Sequence, residues 1–510
     1  VRFIRKINYY NYIKSIHDQG SGGMANVSRE IAEPYGAKIF LDNIYCGDKT
    51  LNSLEKWVAE YQEQISFIID FQNYLEVKKI AKKENLSLVI AGFINNSKKI
   101  EVISSLDDIK PVDLQFFLVN NKKYTTEKPN NQLTYIDSNI NINNSNDDKL
   151  NLLDYLSVIL RDISVGSKQF LTNKVDRSVT GLIAQQQCIG PFQLPLSNFS
   201  INALSIFDTK GIASSIGEQP LKGIVNIKSM IDMTIIEALS NLIFVKINSL
   251  ESIKVLTNWM WSINIKNNDY LLVEAAEYLV SILKILNIGI DGGKDSLFMN
   301  CKYNNETIQS PNTLVLKTIA PVKNINKKIT PYFKKNNSNI VLIHNNKYRL
   351  GGSIFYKNLN RLATYKEHPR FENPYNFKDL WNIIQKFISE DMILSGHDRS
   401  DGGLITTLIE MSISSYYGCD ININSNVTKE EYLFNEEFGI VLEIEEQYTN
   451  DIIDRLTYHD FNVEIVGKTT SNPIFNLNFN NELIFSESNC EILKNWEYTS
   501  YKLELKQCNN

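Results

Sequence analysis

Seven residues recur in this chain about 380 positions apart. His17-Asp18-Gln19-Gly20-Ser21-Gly22-Gly23 and His397-Asp398-Arg399-Ser400-Asp401-Gly402-Gly403 share the frame H-D-x-x-x-G-G. Each copy has a Glu seven residues after its last Gly, Glu30 and Glu410. Each continues into a small-residue turn and a short strand pattern, residues 35–39 and 417–421. Further on, the acidic segments 60–63 and 435–437 precede the apolar runs 65–69 and 440–444. The interval is far too long for a solenoid repeat, so the pattern predicts a duplicated domain.

The frame also suggests chemistry. A carboxylate turn that feeds the apolar, helix-like run 404–413 can seat a metal–phosphate complex. The carboxylate holds Mg²⁺, the glycines let backbone N–H groups approach, and a helix N-terminus favours negative charge. The same residues also suit a plain cap and turn.

With 510 residues the chain has room for about three domains, each with its own core. A net charge of −5 gives no basic field for nucleic acid. The six Cys are scattered, with no CxxC, which argues for a reducing compartment and against disulfides or structural zinc. A cytoplasmic protein is expected. The best apolar stretch, 270–290, carries Glu274, Glu277 and Lys284 and reads as an amphipathic helix rather than a membrane span.

The expected organisation is an α/β (α+β) chain of alternating strands and helices. Residues 1–125 form one domain of this kind, with helices over 27–33, 51–64 and 75–84 and strands near 67–69, 88–90 and 101–103. An Asn-rich linker covers 126–150. Residues 151–325 form a different domain with helices at 151–163, 230–248 and 278–286. Within it Glu237 and Asn241 stand four apart, on one helical face, where a carboxylate and an amide oxygen could share a hard cation. A solvated polar pair has the same spacing. Gly292-Gly293-Lys294-Asp295-Ser296 reads as a glycine-rich loop able to cradle phosphate. Residues 326–490 return to the first pattern, and 491–510 are a tail.

Several long stretches carry a resemblance. VGSKQFLTNKVDRSVTGLIAQQQCIGPFQLPL (165–196), NWMW (258–261), GIDGGKDSLFM (289–299), HDRSDGGL (397–404), LFNEEFG (433–439) and GDKTLNSLEKWVAEYQE (47–63) closely resemble the large single-chain phosphoribosylformylglycinamidine synthases. The resemblance covers essentially the whole chain. It implies a ligase of purine biosynthesis that amidates formylglycinamide ribonucleotide with ATP and glutamine-derived ammonia, through an iminophosphate. It implies tandem halves, each with an N-type and a C-type domain resembling aminoimidazole ribonucleotide synthetase, related by a pseudo-two-fold. On that pattern 1–125 and 326–490 are C-type and 151–325 is N-type. The first N-type domain and the glutaminase domain would lie outside this chain, and the fragment alone would be inactive, with no catalytic residue of its own.

The resemblance also assigns residues. Glu237, Asn241, Asp398 and Asn198 resemble the ligands of a magnesium–nucleotide (ATP or ADP) site thought to be structural, with Ser197, Ser400 and Gly293 near the nucleotide. The family has Ala-Asp where this chain has Ser197-Asn198, which implies weaker magnesium binding. In the first half Asp18 resembles a magnesium ligand. Glu60, Tyr61 and Gln62 resemble the substrate segment, with Tyr61 in place of the usual Ser, and Ser296 a cross-half contribution. The alternative is a non-catalytic nucleotide-holding scaffold or degenerate paralogue. A plain aminoimidazole ribonucleotide synthetase or selenophosphate synthetase relative fits the 165–196 stretch poorly.

Overall fold

The computed structural model describes residues 2–61, 63–105, 112–113, 152–174, 181–304, 306–359, 367–459 and 461–508. The expected linker 126–150 and Gln62 lie outside the described residues. The chain divides into two compact units, Val1–Lys123 and Tyr124–Asn510.

The second unit contains two large sheets. A six-stranded sheet runs in the spatial order Gly289–Ser296, Lys254–Met260, Thr313–Val322, Gly211–Glu218, Ser200–Ala203, Ile183–Gln185. Helix Ile227–Leu242 packs on its two central strands. The Asn226 side chain starts this helix by accepting the N–H groups of Lys228 and Ser229. The helix is apolar on nearly every side because it also packs against strand Ile393–Asp398 of the second sheet.

That second sheet has seven strands, ordered Ile393–Asp398, Gly439–Ile444, Asn339–His344, Asn462–Thr470, Gly418–Ile423, Ile474–Phe479, Glu482–Ser488. Its interior strand Asn339–His344 is wholly buried. Val341 and Ile343 enter one hydrophobic cluster and Ile340 and Leu342 the other, as the two-residue period of a strand requires.

The first unit repeats this topology in smaller form. Strand Ile13–Asp18 pairs antiparallel with Ile65–Ile69, Asp18 opposite Ile65. In the second unit Asp398 stands opposite Ile440 in the same way. Strand Ala37–Phe40 lies antiparallel to Gly92–Ile94 and parallel to Lys99–Ile103. Gly418–Ile423 likewise lies antiparallel to Asn462–Thr470 and parallel to Ile474–Phe479. Among the described residues of the first unit no strand takes the place of Asn339–His344, so its sheet is in two pieces.

Four expectations need correction. The helix expected over 51–64 is only Ser53–Val58, closed at its start by an Asn52–Glu55 capping box. Beyond it the chain extends, because the Ala59 carbonyl packs directly on Gly23. Residues 88–90 join no ladder; the strand is Gly92–Ile94. Residues 292–296 are not a loop but the end of edge strand Gly289–Ser296, parallel to Lys254–Met260. A Cβ at Gly293 would meet the Thr257 backbone oxygen at 2.5 Å, so its glycine serves strand packing. Residues 491–510 are not a free tail: helix Asn489–Cys508 is pinned by Trp496, whose indole N–H donates to the Val165 carbonyl (3.1 Å).

Candidate functional site

In the second unit strand Ile393–Asp398 delivers its carboxylate to a turn, and helix Gly403–Ile413 starts directly after it. Gly402 and Gly403 both have left-handed backbone (φ 85° and 74°). A Cβ at Gly403 would stand 2.6 Å from the Leu433 carbonyl oxygen. His397 is buried between two carboxylates, its Nδ1 3.1 Å from Asp398 Oδ1 and its Nε2 3.0 Å from Glu410 Oε2. Burial opposes the imidazolium charge, but these hydrogen bonds outweigh it and hold the pKa up to about 9. The spacing of His and Glu shared by the two copies brings the same two side chains together in the first unit, where His17 Nδ1 lies 3.6 Å from Glu30 Oε2.

Glu237 and Asn241 both reach strand Gly211–Glu218. Glu237 Oε2 accepts from the Glu218 backbone N–H (2.7 Å) and from Gln219 Nε2 (3.0 Å), while Asn241 Nδ2 donates to the Ile216 carbonyl (3.3 Å). Burial, then the fields of Asp401 and Asp398, push Glu237 well above the usual carboxylate range. Asp401, whose Oδ1 lies 3.4 Å from Gln219 Nε2, is pushed up to about 7 by burial and by Glu436. Burial raises Glu218 as well. Glu436 Oε1 accepts from the backbone N–H groups of Gly402 (2.8 Å) and Ile354 (2.9 Å), and its Oε2 from Lys222 Nζ (2.7 Å). Lys168, partly buried and lowered by it, lies in the field of Glu410 and Asp401 and donates to the Ser164 and Gly166 carbonyls.

Six carboxylates (Glu218, Glu237, Asp398, Asp401, Glu410, Glu436) thus outnumber the three basic groups that face them, Lys168, Lys222 and His397. Asn198 is buried, and neither its Oδ1 nor its Nδ2 has a hydrogen-bond partner among the described residues. Buried amides without partners are rare. Surplus charge, oxygen donors and an orphaned amide fit a hard divalent cation. Among the described residues no three His, Cys, Asp or Glu side chains group as ligands of one ion, so amide and phosphate oxygens would have to complete the shell. Ser197 is turned inward, its Oγ donating to the Phe199 carbonyl (2.7 Å), and Ser400 is half-buried in the turn. Gly293 and Ser296 stand on the edge strand, where Lys294 Nζ donates to Ser296 Oγ (2.9 Å).

In the first unit Glu60 Oε1 accepts from the Gly22 backbone N–H (3.0 Å) and lies 3.4 Å from Ser21 Oγ. Asp18 ends its strand beside this loop. The Tyr61 hydroxyl is 2.9 Å from Cys46 Sγ, a hydrogen bond that pushes its pKa up to about 12. Sequence reasoning missed Asp401, Gln219, Lys222 and Glu218. Asp401 stood inside the quoted motif; the other three carry no local signal.

Comparison with known proteins agrees with this architecture. The family model "AIR synthase related protein, C-terminal domain" matches residues 2–105 and again 338–479, and "FGAR-AT PurM_N-like domain" matches 167–321. The chain is thus built of AIR-synthase-related domains, the C-terminal type occurring twice. The phosphoribosylformylglycinamidine synthase of Dictyostelium discoideum is 36% identical over 98% of this chain and 39% of the relative. That of Homo sapiens is 32% identical over 98% of the chain and 38% of the relative. The chain belongs to the phosphoribosylformylglycinamidine synthase family and spans about two fifths of the length of these curated relatives. A solved structure, Thermotoga maritima PurL complexed with FGAR, shares the fold at 11% identity with a TM-score of 0.51, over 67% of this chain and 53% of that one.

Proposed function

We propose that this chain is part of a ligase that amidates formylglycinamide ribonucleotide to formylglycinamidine ribonucleotide with ATP and glutamine-derived ammonia, in purine biosynthesis. The relatives' shared name supports the reaction class. In this reading the two units divide the labour. The first contributes Asp18, with Glu60, Tyr61 and Gln62 toward the substrate. The second holds Mg²⁺–ATP or Mg²⁺–ADP with Glu237, Asn241, Asp398 and Asn198, with Ser197, Ser400, Gly293 and Ser296 nearby. Bound magnesium supplies charge for phosphate oxygens. The chain's own residues orient and compensate: His397 fixes one oxygen of Asp398, Gln219 holds Glu237, and the Gly402–Gly403 turn presents a helix N-terminus. Electrostatic positioning of this kind is the protein's main contribution to phosphoryl transfer. No described helix is long and apolar enough to cross a membrane, and the six free cysteines suit the cytoplasm.

The observation that carries this reading is the carboxylate surplus around Glu237, together with the orphaned Asn198. The test is the nucleotide and metal released on denaturing the purified chain. About one ADP or ATP with Mg²⁺ per chain is expected, rising in occupancy or affinity in Asn198→Asp. A well-folded sample that releases neither, in both forms, would remove the second unit from the proposal.

A further inference from the structure

The two copies bind their acidic segments to the glycine turn in the same way, then differ at one atom. Glu60 and Glu436 each use Oε1 to accept the N–H of the first left-handed glycine, Gly22 at 3.0 Å and Gly402 at 2.8 Å. This hydrogen bond makes them equivalent in contact, although Glu60 stands one residue further from its paired strand than Glu436 does. Glu60 is exposed, and its Oε2 has no partner among the described residues. Glu436 is 1% exposed, and its Oε2 is taken by Lys222 Nζ at 2.7 Å. Lys222 also bonds Gln219 Oε1 and is itself 1% exposed. Gly352 packs so close that a Cβ there would stand 2.8 Å from Lys222 Cα. No ligand group can reach Glu436 unless Lys222 leaves.

We propose that Lys222 is a resident occupant of the second copy's ligand position, holding Glu436 shut where the equivalent Glu60 stays open. This rests on the reading of Glu60 as a substrate contact. A free carboxylate oxygen beside a backbone-anchored one takes a hydroxyl or amide N–H donor. Lys222 supplies the same donor permanently, with a charge that balances the buried Glu436. The acidic segment is thus a binding element where it is open and a joint between domains where it is plugged.

Amide exchange read residue by residue tests this on the whole chain. With formylglycinamide ribonucleotide added, the Gly22 amide should slow at least tenfold, while the Gly402 amide stays slow with and without it. A Gly402 amide that responds to the ribonucleotide would overturn the proposal. The second arm needs no substrate. In Lys222→Ala the Gly402 amide should become fast and slow again when n-butylamine fills the vacated channel; indifference to the amine in a folded variant would overturn the proposal. Should Lys222→Ala not fold, Lys222→Ser combined with Glu436→Gln vacates the channel without stranding a buried charge. In that pair the ribonucleotide should now slow the Gly402 amide, and no response there would also refute the plug. A Gly22 amide indifferent to the ribonucleotide would instead sink the substrate role of Glu60, and the amine arm would still decide the role of Lys222.

Discussion

The glycine turn of the first unit faces solvent; that of the second lies in the seam between two domains. His17 is 39% exposed and meets Glu30 at 3.6 Å, whereas His397 is 10% exposed and held on both nitrogens near 3 Å. Strand Ile65–Ile69 leaves Ile65 half exposed, and its counterpart Gly439–Ile444 is buried throughout. The turn itself is alike in both copies. What differs is the surroundings: in the second unit Lys222 closes on Glu436, and helix Ile227–Leu242, which carries Glu237, packs on the strand that leads into the turn. The same local sequence therefore gives an open loop or a locked, charge-dense core according to its neighbours. In the desolvated copy burial pushes the carboxyls of Glu237 and Asp401 up.

The sharpest way to break this contrast is to remove the two equivalent glutamates. Glu436→Ala strands Lys222 as a buried, unpaired charge and should cost about 3–5 kcal/mol in urea denaturation. Glu60→Ala should leave the midpoint almost unmoved, since the side chain is exposed. Equal losses would end the distinction.

The seam has its own pH signature. Asp232, on the helix that carries Glu237, is pushed up to about 7 by burial, against hydrogen bonds from the Phe371 backbone N–H and the Tyr278 hydroxyl (2.9 Å). A raised carboxyl contributes stability that is full below its unfolded pKa and is lost as pH rises to the folded one. Stability of the second unit should fall between about pH 4 and 7, by up to about 4 kcal/mol from this group. Asp232→Asn should flatten that slope in denaturation curves taken across the range.

Gly23→Ala and Gly403→Ala sharpen the comparison from the other side. Both positions are left-handed (φ 57° and 74°) and both press on backbone, at Ala59 and at Leu433 and Phe434. Left-handed strain alone is about 1–2 kcal/mol, and the contacts add to it. Each variant should lose more than about 2 kcal/mol by chemical denaturation, in spite of the difference in burial. The smallest effect belongs to Tyr61→Phe. Melting should hardly change, while Cys46, deprived of the hydroxyl donor at 2.9 Å, should react more slowly with a disulfide reagent.

Much of this was legible in the sequence. The duplication, the carboxylate turns and the Glu237–Asn241 face depend on spacings of a few residues, and local geometry follows from such spacings. Two strands of the second sheet, near 417–421 and 440–444, were legible for the same reason. Misreadings arose where a distant backbone decides the outcome. The helix periodicity of 51–64 continues past Val58, but Ala59 must extend to pack on Gly23. The glycines at 292–293 suggest a phosphate loop, yet they lie in a strand, and Gly293 presses on Thr257.

Sequence alone determined that this chain holds two copies of one fold, each with its turn chemistry, because left-handed glycines and a carboxylate at fixed offsets specify that turn wherever it occurs. Tertiary structure alone decided which copy is open and which is closed. The pair Lys222–Glu436 spans 214 residues, and no local pattern encodes a partner at that distance. Burial then sets the charge balance, since the cost of an unpaired carboxylate depends on the solvent it has lost rather than on its neighbours in the chain.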